Sequence, residues 1–258
     1  MNILCIGDVV GSVGCEFLRR QLPSLKKLKA IDMVIVNGEN SADGNGITPV
    51  SAEHILNSGA DVITGGNHSF RRFEMYPYFD ESNLVIRPAN YPDGAYGKGY
   101  TVIDFGYTKV GVINLLGVVY TEPLDSPFDT ADKIINQLKK DGVKIIIVDI
   151  HAEATAEKKA LAYYLDGRVS AVFGTHTHVQ TADEQILPEK TGFITDLGMT
   201  GPINSVLGVK PELAVKKMKN KLPVRFSTAE GPCLMTGCIF DVDNKTGVCN
   251  GVERISII

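Results

Sequence analysis

The 258-residue sequence has no tryptophan, no CxxC cysteine pair and no long apolar run. Its longest apolar segments, such as Ile145 to Val148, are far shorter than the roughly 20 residues that a membrane-spanning helix needs. Met1 leads directly into a strand-like pattern and not into a signal peptide. We therefore expect a cytoplasmic protein.

Cysteine is scarce, and its pattern fits neither disulfides nor a structural metal. The number is odd, and no two cysteines have the spacing of a zinc knuckle, which argues against a disulfide framework and a structural zinc site. We expect free, buried thiols. The five cysteines are Cys5, Cys15, Cys233, Cys238 and Cys249.

The chain has no excess of positive charge: it contains 26 Lys and Arg and 30 Asp and Glu, so its formal net charge is -4. No global field would draw the chain to nucleic acid or to an anionic membrane, so a nucleic-acid substrate would have to be recognised locally. No repeat, low-complexity segment or linker interrupts the sequence, and its hydrophobic content is 44%. These features predict a single domain over residues 1–258.

Buried strand patterns alternate with helical patterns along most of the chain. The first strand begins at Asn2 and is followed by a glycine-rich turn and a helix through Leu18 and Leu25. Such alternation predicts a largely parallel sheet covered by helices. Further strands are predicted at Met33 to Asn37, Asp61 to Thr64, Lys144 to Ile150 and Val169 to Gly174, and helices near Pro49 to Ser58, Thr130 to Lys140 and Thr155 to Leu165.

The pattern becomes rich in β-structure in the middle and at the end of the chain. The segments joined by the turn after Phe105 and by the turn over Asp243 to Gly247 have the composition of hairpins. We expect them to form a second, mixed or antiparallel sheet that packs on the first. The four strands are predicted at Tyr100 to Phe105, Lys109 to Leu116, Cys233 to Val242 and Val248 to Ile257.

The glycines after the first strand do not match a nucleotide-binding loop. Gly7, Gly11 and Gly14 have neither the GxGxxG spacing nor the Gly-Lys-Ser/Thr ending of a P-loop. A nucleotide-cofactor fold is therefore disfavoured.

Polar residues instead stand at the carboxyl ends of successive strands, where open α/β sheets bind ligands. Taken singly, each has an ordinary alternative: Asp8 could cap a helix, Asn67 could stabilise a turn and His151 could be a core residue. The recurrence at five strand ends favours a metal site, and the two histidines of His176-Thr-His178 would face one side of an extended chain. The candidate ligands are Asp8, Glu39, Asn40, Asn67, His151, His176 and His178.

This set of seven donors exceeds one four-coordinate zinc site and suits two ions that share a bridging carboxylate and a bridging water. Two divalent ions carry about +4, whereas Asp8, Glu39 and a hydroxide supply about -3, so the centre stays cationic and would attract a phosphoester. Oxygen and imidazole donors without thiolate suit iron, manganese or zinc, and the donors alone do not choose among them. Of the three, iron is the expected metal.

These motifs resemble those of the calcineurin-like metallophosphoesterases, and most closely the YmdB-like branch, which acts on 2′,3′-cyclic nucleotides. The resemblance includes the late segments Leu222 to Phe226 and Ala229 to Gly231, and it implies a four-layer αββα sandwich with a dinuclear site at one edge of the sheets. The motifs on which the resemblance is based are Gly7-Asp8, Gly38-Glu39-Asn40, Gly66-Asn67-His68, His151 and Gly174-Thr-His176-Thr-His178.

The resemblance also implies how the ligands divide. One metal would take Asp8, Glu39, Asn40 and His178, and the other Glu39 as a bridge with Asn67, His151 and His176. A bridging hydroxide would attack phosphorus in line, and His68, which is not needed as a ligand, would protonate the departing alkoxide. The alternative for His68 is a hydrogen bond that braces its loop.

Three departures from related patterns are visible. Val10 stands where the wider superfamily has a histidine, and Asn37-Gly-Glu39-Asn40 replaces its GDxxD segment; both are features of the YmdB-like branch. After His68 that branch usually continues Thr-Trp-Asp, whereas this chain has Ser69-Phe70-Arg71. The side chains that orient His68 must therefore differ.

Two other functions remain open at this point. A dinuclear centre could hydrolyse another ester or amide, and the metal could belong to a regulatory protein that binds RNA or a protein partner. The basic run Lys216, Lys217, Lys219 and Lys221 is the only sequence support for the second function, and we interpret this run as a solvated helix face. Phe70 and Phe73 are the aromatic residues nearest the ligand motifs, and each is as plausibly a core residue as a platform for a base, so base identity is expected to matter little. The expected binding partner is a small-molecule 2′,3′-cyclic nucleotide or a phosphodiester at an RNA end, with no membrane partner, and a homo-oligomer is possible.

Overall fold

The computed structural model describes residues 1–258 and contains six helices and fourteen strands. The second helix begins as its sequence predicts, because the Thr48 side chain accepts a hydrogen bond from Ser51 N and Pro49 occupies the first turn. The helices are α1 (Gly11–Leu28), α2 (Pro49–Asn57), α3 (Met75–Glu81), α4 (Pro127–Lys140), α5 (Thr155–Leu165) and α6 (Pro211–Asn220).

The predicted strands all form, with ends within two residues of the predicted ones. The first six are β1 (Asn2–Ile6), β2 (Asp8–Val9), β3 (Met33–Asn37), β4 (Val62–Thr64), β5 (Val85–Ile86) and β6 (Tyr100–Asp104). The next four are β7 (Lys109–Leu116), β8 (Ile145–His151), β9 (Ala171–Thr175) and β10 (Gln185–Ile186). The last four are β11 (Gly192–Ile194), β12 (Met199–Pro202), β13 (Cys233–Val242) and β14 (Cys249–Ile257).

The strands form two mixed sheets. An eight-stranded sheet has the order β2-β12-β13-β1-β3-β4-β5, with β14 on the other side of β13. Within it β1, β3, β4 and β5 are parallel, and β13 is antiparallel to β1. A six-stranded sheet has the order β10-β11-β9-β8-β7-β6, in which β7, β8, β9 and β11 are parallel.

The predicted division of the strands between the sheets is wrong in one respect. The β-rich segments do not form a sheet of their own: β6 and β7 join β8 and β9, whereas β13 and β14 join β1. Helix α4 connects β7 to β8 as a crossover, so these two strands lie parallel in one sheet. Strand β13 instead pairs with the edge of β1 that β3 leaves free, which places it in the other sheet. The sequence also gave no signal for the short strands β5, β10, β11 and β12.

Three apolar clusters separate four layers. One packs α1 and α2 on the outer face of the eight-stranded sheet, and a second packs α4 and α5 on the outer face of the six-stranded sheet. The third lies between the sheets and contains Ile35 and Val62 from one and Ile147 and Phe173 from the other. The predicted αββα sandwich is confirmed.

The cysteines are as the sequence predicts. All five cysteines are free and buried. None of the six helices combines the length and the apolar character that a membrane crossing requires.

A buried ion pair ties α5 to the loops that follow the six-stranded sheet. Lys158 Nζ lies 2.6 Å from Asp196 Oδ2, and both side chains are about 1% exposed. Asp196 also accepts hydrogen bonds from the backbone of Thr177 at 3.1 Å and Gly198 at 2.9 Å. The pair therefore holds the backbone between His176 and His178 against the helix layer.

Replacing Lys158 by methionine should destabilise the fold strongly. The substitution leaves the Asp196 carboxylate buried without its cation, which typically costs about 3–5 kcal/mol. Lys159→Met is a matched control, because its partner Asp183 lies at 3.3 Å in a half-exposed pair and such pairs contribute about 1 kcal/mol or less. Urea unfolding measures both, and equal small changes would contradict a structural role for the buried pair.

Candidate metal centre

The seven predicted ligands meet at the edge where the carboxyl ends of both sheets lie. Asp8 begins β2, Glu39 and Asn40 follow β3, and Asn67 follows β4. From the other sheet, His151 ends β8 and His176 and His178 follow β9. Asp8, Glu39 and His151 are fully buried and Asn40 is 3% exposed. Side chains distant in sequence thus share one buried site.

The first group of donors surrounds the Asn40 amide. Asn40 Nδ2 lies 3.3 Å from Asp8 Oδ1, 3.0 Å from Glu39 Oε1 and 3.2 Å from His178 Nε2. His178 Nε2 is itself 3.6 Å from Asp8 Oδ1. These four side chains are the set that the resemblance assigns to one metal.

The second group surrounds the inner nitrogen of His151. His151 Nε2 lies 3.0 Å from Asn67 Oδ1, 3.1 Å from His176 Nδ1 and 3.2 Å from Glu39 Oε1. Glu39, His151 and His176 together have the spacing of a metal-binding cluster. Glu39 Oε1 belongs to both groups, which is the position that a bridging carboxylate needs.

The donor set fits metal ions. Ligands about 2.1 Å from one ion lie about 3.0–3.4 Å from one another at octahedral and tetrahedral angles, close to the spacings in both groups. One side chain must change: Asn40 directs its amide nitrogen at the other donors, and that nitrogen is not a metal ligand. A turn of 180° about the last bond would direct Oδ1 at them and Nδ2 at His68.

The outer nitrogen of each candidate histidine already has an acceptor. His151 Nδ1 lies 2.9 Å from Thr175 Oγ1, His178 Nδ1 lies 2.9 Å from the Leu207 carbonyl, and His176 Nε2 lies 3.0 Å from Glu153 Oε2. Metal-binding histidines typically donate their second N–H in this way, which fixes the ring and leaves the other nitrogen free for the ion.

A buried carboxylate completes the support of His151. Asp149, two residues earlier on β8, accepts hydrogen bonds from Thr64 Oγ1 at 2.6 Å and Thr175 Oγ1 at 2.8 Å. Burial raises the pKa of Asp149 to about 6, although His151 and these hydroxyls oppose the rise. Asp149, Glu153 and Thr175 were not among the predicted site residues. An Asp inside an Ile-rich strand is a signal for Asp149, whereas the sequence holds no comparable signal for the other two.

The charged side chains of the site stabilise each other's ionised forms. Burial by itself would raise the pKa of Glu39, but His151 and His68 bring it well below its usual range. Conversely, burial opposes the charge on His151, but Glu39 and Asp8 raise the pKa of His151 to about 9. A metal ion that binds His151 Nε2 must therefore displace a proton.

Backbone strain marks the loop that carries His176 and His178. Their φ angles are +106° and +63°, values that side chains with a Cβ rarely adopt. The expectation that both rings face one side of an extended chain is wrong, because β9 ends at Thr175. The loop geometry instead directs His176 to the second donor group and His178 to the first.

Gly66 leaves the space in which the Glu39 carboxylate and the His151 ring approach each other. A Cβ at this position would overlap Glu39 Oε2 and the His151 ring. Any larger residue would push the bridging carboxylate and the imidazole apart. The glycine is thus required by close packing and not by its backbone angle.

His68 borders the centre without belonging to either group. Its Nδ1 lies 2.9 Å from Asn40 Oδ1 and 3.1 Å from Glu39 Oε1, and its backbone N–H donates to Glu39 Oε2 at 2.8 Å. Its Nε2 makes no hydrogen bond within the protein, and the side chain is 27% exposed. One ring nitrogen is therefore held by the ligands while the other is free for a substrate.

The residues after His68 differ from the related branch and still brace its loop. Ser69 Oγ donates to the Gly66 carbonyl at 2.8 Å and accepts from the Gly66 N–H at 2.9 Å. The Phe70 ring packs against Tyr76 and Tyr91, at 5.8 and 5.1 Å between centroids. The backbone of His68 is thus held from both sides.

Comparisons with known proteins agree with this geometry. Residues 4–255 match the family model described as YmdB-like protein. The chain is 46% identical, over 257 residues covering 100% of it and 97% of the relative, to a protein of Bacillus subtilis (strain 168) named 2′,3′-cyclic-nucleotide 2′-phosphodiesterase.

Solved structures extend the likeness to three dimensions. A structure described as a novel phosphatase from Mycoplasma pneumoniae superposes with a TM-score of 0.93 at 34% identity, covering 100% of this chain and 93% of that one. The NAD nucleotidase of Haemophilus influenzae shares the fold alone, with a TM-score of 0.64 at 15% identity over 99% of this chain and 55% of that chain. By sequence and by structure, the chain belongs to the YmdB-like family.

Proposed function

We propose that the chain is a dinuclear-metal phosphodiesterase that opens 2′,3′-cyclic nucleotides at the P–O2′ bond and releases 3′-nucleotides. The observation that carries the proposal is the pair of donor groups sharing Glu39 Oε1, next to an imidazole with one free nitrogen. The chain is a phosphoric diester hydrolase by its family, and the name of the B. subtilis relative supports the cyclic substrate.

The two donor groups would each hold one metal ion, with the division of ligands that the family resemblance implies. Asp8, Asn40 and His178 would bind one ion and Asn67, His151 and His176 the other, with Glu39 between them. When bound, the ions supply Lewis-acid charge to the phosphate and make water acidic enough to react at neutral pH. Oxygen and imidazole donors suit iron, with manganese or zinc as alternatives.

His68 is proposed as the proton donor to the leaving group. In the reaction a water oxygen adds to phosphorus, the bond to O2′ breaks, and O2′ takes up a proton. An alkoxide is a poor leaving group, so this protonation governs the barrier. His68 Nε2 is free and partly exposed, whereas the three ligand histidines have both nitrogens occupied.

Asn40 and Glu39 would orient His68 for this role. Asn40 Oδ1 lies 2.9 Å and Glu39 Oε1 3.1 Å from His68 Nδ1, so both can accept its proton. If the Asn40 amide turns toward a metal, the Glu39 carboxylate remains as the acceptor. The cationic ring would then keep the proton on Nδ1 and donate the one on Nε2.

The rival functions have less support. Nothing at the centre favours a carboxylic ester over a phosphodiester, and the cationic site suits an anion better. For a regulatory role, the basic run lies on the exposed helix α6 and its next residue, with only Lys217 directed at the region of His68.

The substrate assignment is tested with adenosine 2′,3′-cyclic phosphate, adenosine 3′,5′-cyclic phosphate and 3′-AMP, using iron- or manganese-loaded protein. A diester with one charge and an alkoxide leaving group matches a modestly cationic site with a separate proton donor. We expect the 2′,3′-cyclic nucleotide to react fastest and to give 3′-AMP, identified by chromatography. Fastest hydrolysis of 3′-AMP would remove the diesterase assignment, and a 2′-phosphate product would reverse the proposed orientation of the ribose.

Glu39→Gln should abolish turnover and reduce metal content while leaving the fold intact. The substitution removes one of the two carboxylate charges in the donor set, and that charge is the one shared by both groups. Metal analysis and hydrolysis assays measure the effect. Glu53→Gln, an exposed change on α2, is the control. Full metal content with near-wild-type turnover in the Glu39 variant would contradict the bridging role.

His68→Ala should retain both metals and lose about 10²–10⁴ in rate, the usual contribution of a general acid. The defect should shrink with p-nitrophenyl diesters, because a good leaving group needs little protonation. His54→Ala, which removes the histidine of α2 outside the centre, should behave as wild type. A His68→Ala defect of equal size for good and poor leaving groups would show that His68 has another role.

A further inference from the structure

A pocket of about 780 Å³ opens directly beside His68. Its lining includes His68 and Leu207, the residue whose carbonyl holds the ring of His178, so it adjoins the candidate metal centre. The volume is in the range of small-molecule sites, about 300–1,000 Å³. The free Nε2 of His68 and this pocket are therefore parts of one surface.

The pocket is strongly cationic in a chain whose net charge is -4. Arg71, Arg72, Lys217 and Arg225 line it, and Asp43 is the single carboxylate among its lining residues. Arg72 is engaged by the carbonyls of its neighbouring loop and lies 3.9 Å from Asp43.

The other three cations have no carboxylate within ion-pair distance anywhere in the structure. None of Arg71, Lys217 and Arg225 forms a salt bridge, and none donates a side-chain hydrogen bond. Unpaired cations that converge on one cavity are a binding site for an anion, and guanidinium groups match phosphate oxygens in geometry. This charge is additional to that of the metals.

An exposed aromatic ring lies in the same pocket. Phe226 is 42% exposed, and Lys217 Nζ lies 4.6 Å from its ring centroid. Phenyl rings beside cations are the usual platform on which single-stranded nucleic acids stack a base. The aromatic residues nearest the ligand motifs are not at this place. Phe70 is packed among other aromatic rings, and Phe73, which is 78% exposed and so not a core residue, does not line the pocket.

A cyclic mononucleotide has one negative charge, and in the proposed function that charge lies at the metals. It leaves three cations that have no anionic partner, and an exposed ring whose one aromatic or cationic contact is with Lys217. We infer that the basic pocket binds the nucleotide preceding the cyclic phosphate, so that the preferred substrate is the 3′ end of an RNA terminated by a 2′,3′-cyclic phosphate. This inference rests on the proposed function and adds to it a second phosphate on the 5′ side of the reacting ribose.

The test compares three substrates with the metal-loaded enzyme: adenosine 2′,3′-cyclic phosphate, its 5′-phosphorylated form, and the dinucleotide ApA with a terminal 2′,3′-cyclic phosphate. The kcat/KM of the dinucleotide should exceed that of the unphosphorylated mononucleotide by about tenfold or more, the size of one charge-assisted contact. The advantage should decline with added salt, because binding a phosphate with cations releases counterions.

Lys217→Gln and Arg225→Gln should reduce the ratio of dinucleotide to mononucleotide kcat/KM toward one. Lys219→Gln is the matched control, since Lys219 is an exposed lysine of the same helix that does not line the pocket, and it should keep the wild-type ratio. Thermal unfolding of each variant separates a loss of binding from a loss of folding.

The outcomes distinguish this inference from the function on which it rests. If the cyclic mononucleotide is hydrolysed and the dinucleotide reacts no faster, or if Lys219→Gln lowers the ratio as much as Lys217→Gln, the pocket does not bind the preceding nucleotide. If none of the three substrates is hydrolysed, the proposed function fails and the inference with it. A larger gain for ApA than for the 5′-phosphorylated mononucleotide supports an RNA end, because the preceding nucleoside then contributes beyond the phosphate. A gain of equal size for both would overturn the inference, because a 5′-phosphate alone would then be the ligand of the pocket.

Discussion

The contact of one buried carboxylate with both donor groups is the constraint around which this site is arranged. Glu39 Oε1 lies within 3.2 Å of an imidazole from the six-stranded sheet and accepts from the amide of Asn40, which follows the eight-stranded sheet. A buried carboxylate is stable only with compensating charges and hydrogen bonds. The position of the two sheets, the glycine at position 66 and the charge on His151 all serve that requirement.

The same constraint explains why several buried polar side chains surround the donor groups although the rest of the interior is apolar. His151 is oriented by Thr175, which is in turn held by Asp149, and the loop of His176 and His178 is tied to α5 through Asp196 and Lys158. Since each of these groups is buried, each would be unfavourable without its partner. Together they fix the rings before any ion binds, and the strained φ angles of His176 and His178 are maintained by this surrounding network.

The sequence predicted the parts of this arrangement that depend on strand ends, and failed where tertiary packing decides. Polar residues after β3, β4 and β8 were recognisable because strand carboxyl ends share an edge in an α/β sheet, whichever sheet they belong to. The direction of His176 and His178 was not predictable from a two-residue spacing, because their loop has left-handed backbone angles.

Distant contacts were equally hidden in the sequence. Glu153 follows β8 outside every motif of the sequence, yet its carboxylate lies 3.0 Å from His176 Nε2. Phe226 lies more than 150 residues from His68 in the chain yet lines the same pocket. The lysine run was interpreted as a solvated helix face, which holds for most of it, whereas Lys217 is directed at the site. Only the three-dimensional structure, in which α6, the segment after it and the loop of His68 line one pocket, reveals these relations.

That loop, residues 65–72, connects the separate parts of the site into one unit. It provides Asn67 to the donor groups, His68 as the free imidazole and Arg71 to the basic pocket, within five consecutive residues. Ser69 closes its turn and Phe70 anchors it in an aromatic cluster, so these three side chains have a fixed spacing. A ligand that reaches from the donor groups into the basic pocket would meet His68, which lines that pocket together with Arg71. In the proposed function, the position of His68 relative to the scissile bond would then be set by binding at both ends, and such fixed orientation is a main source of rate enhancement in enzymes.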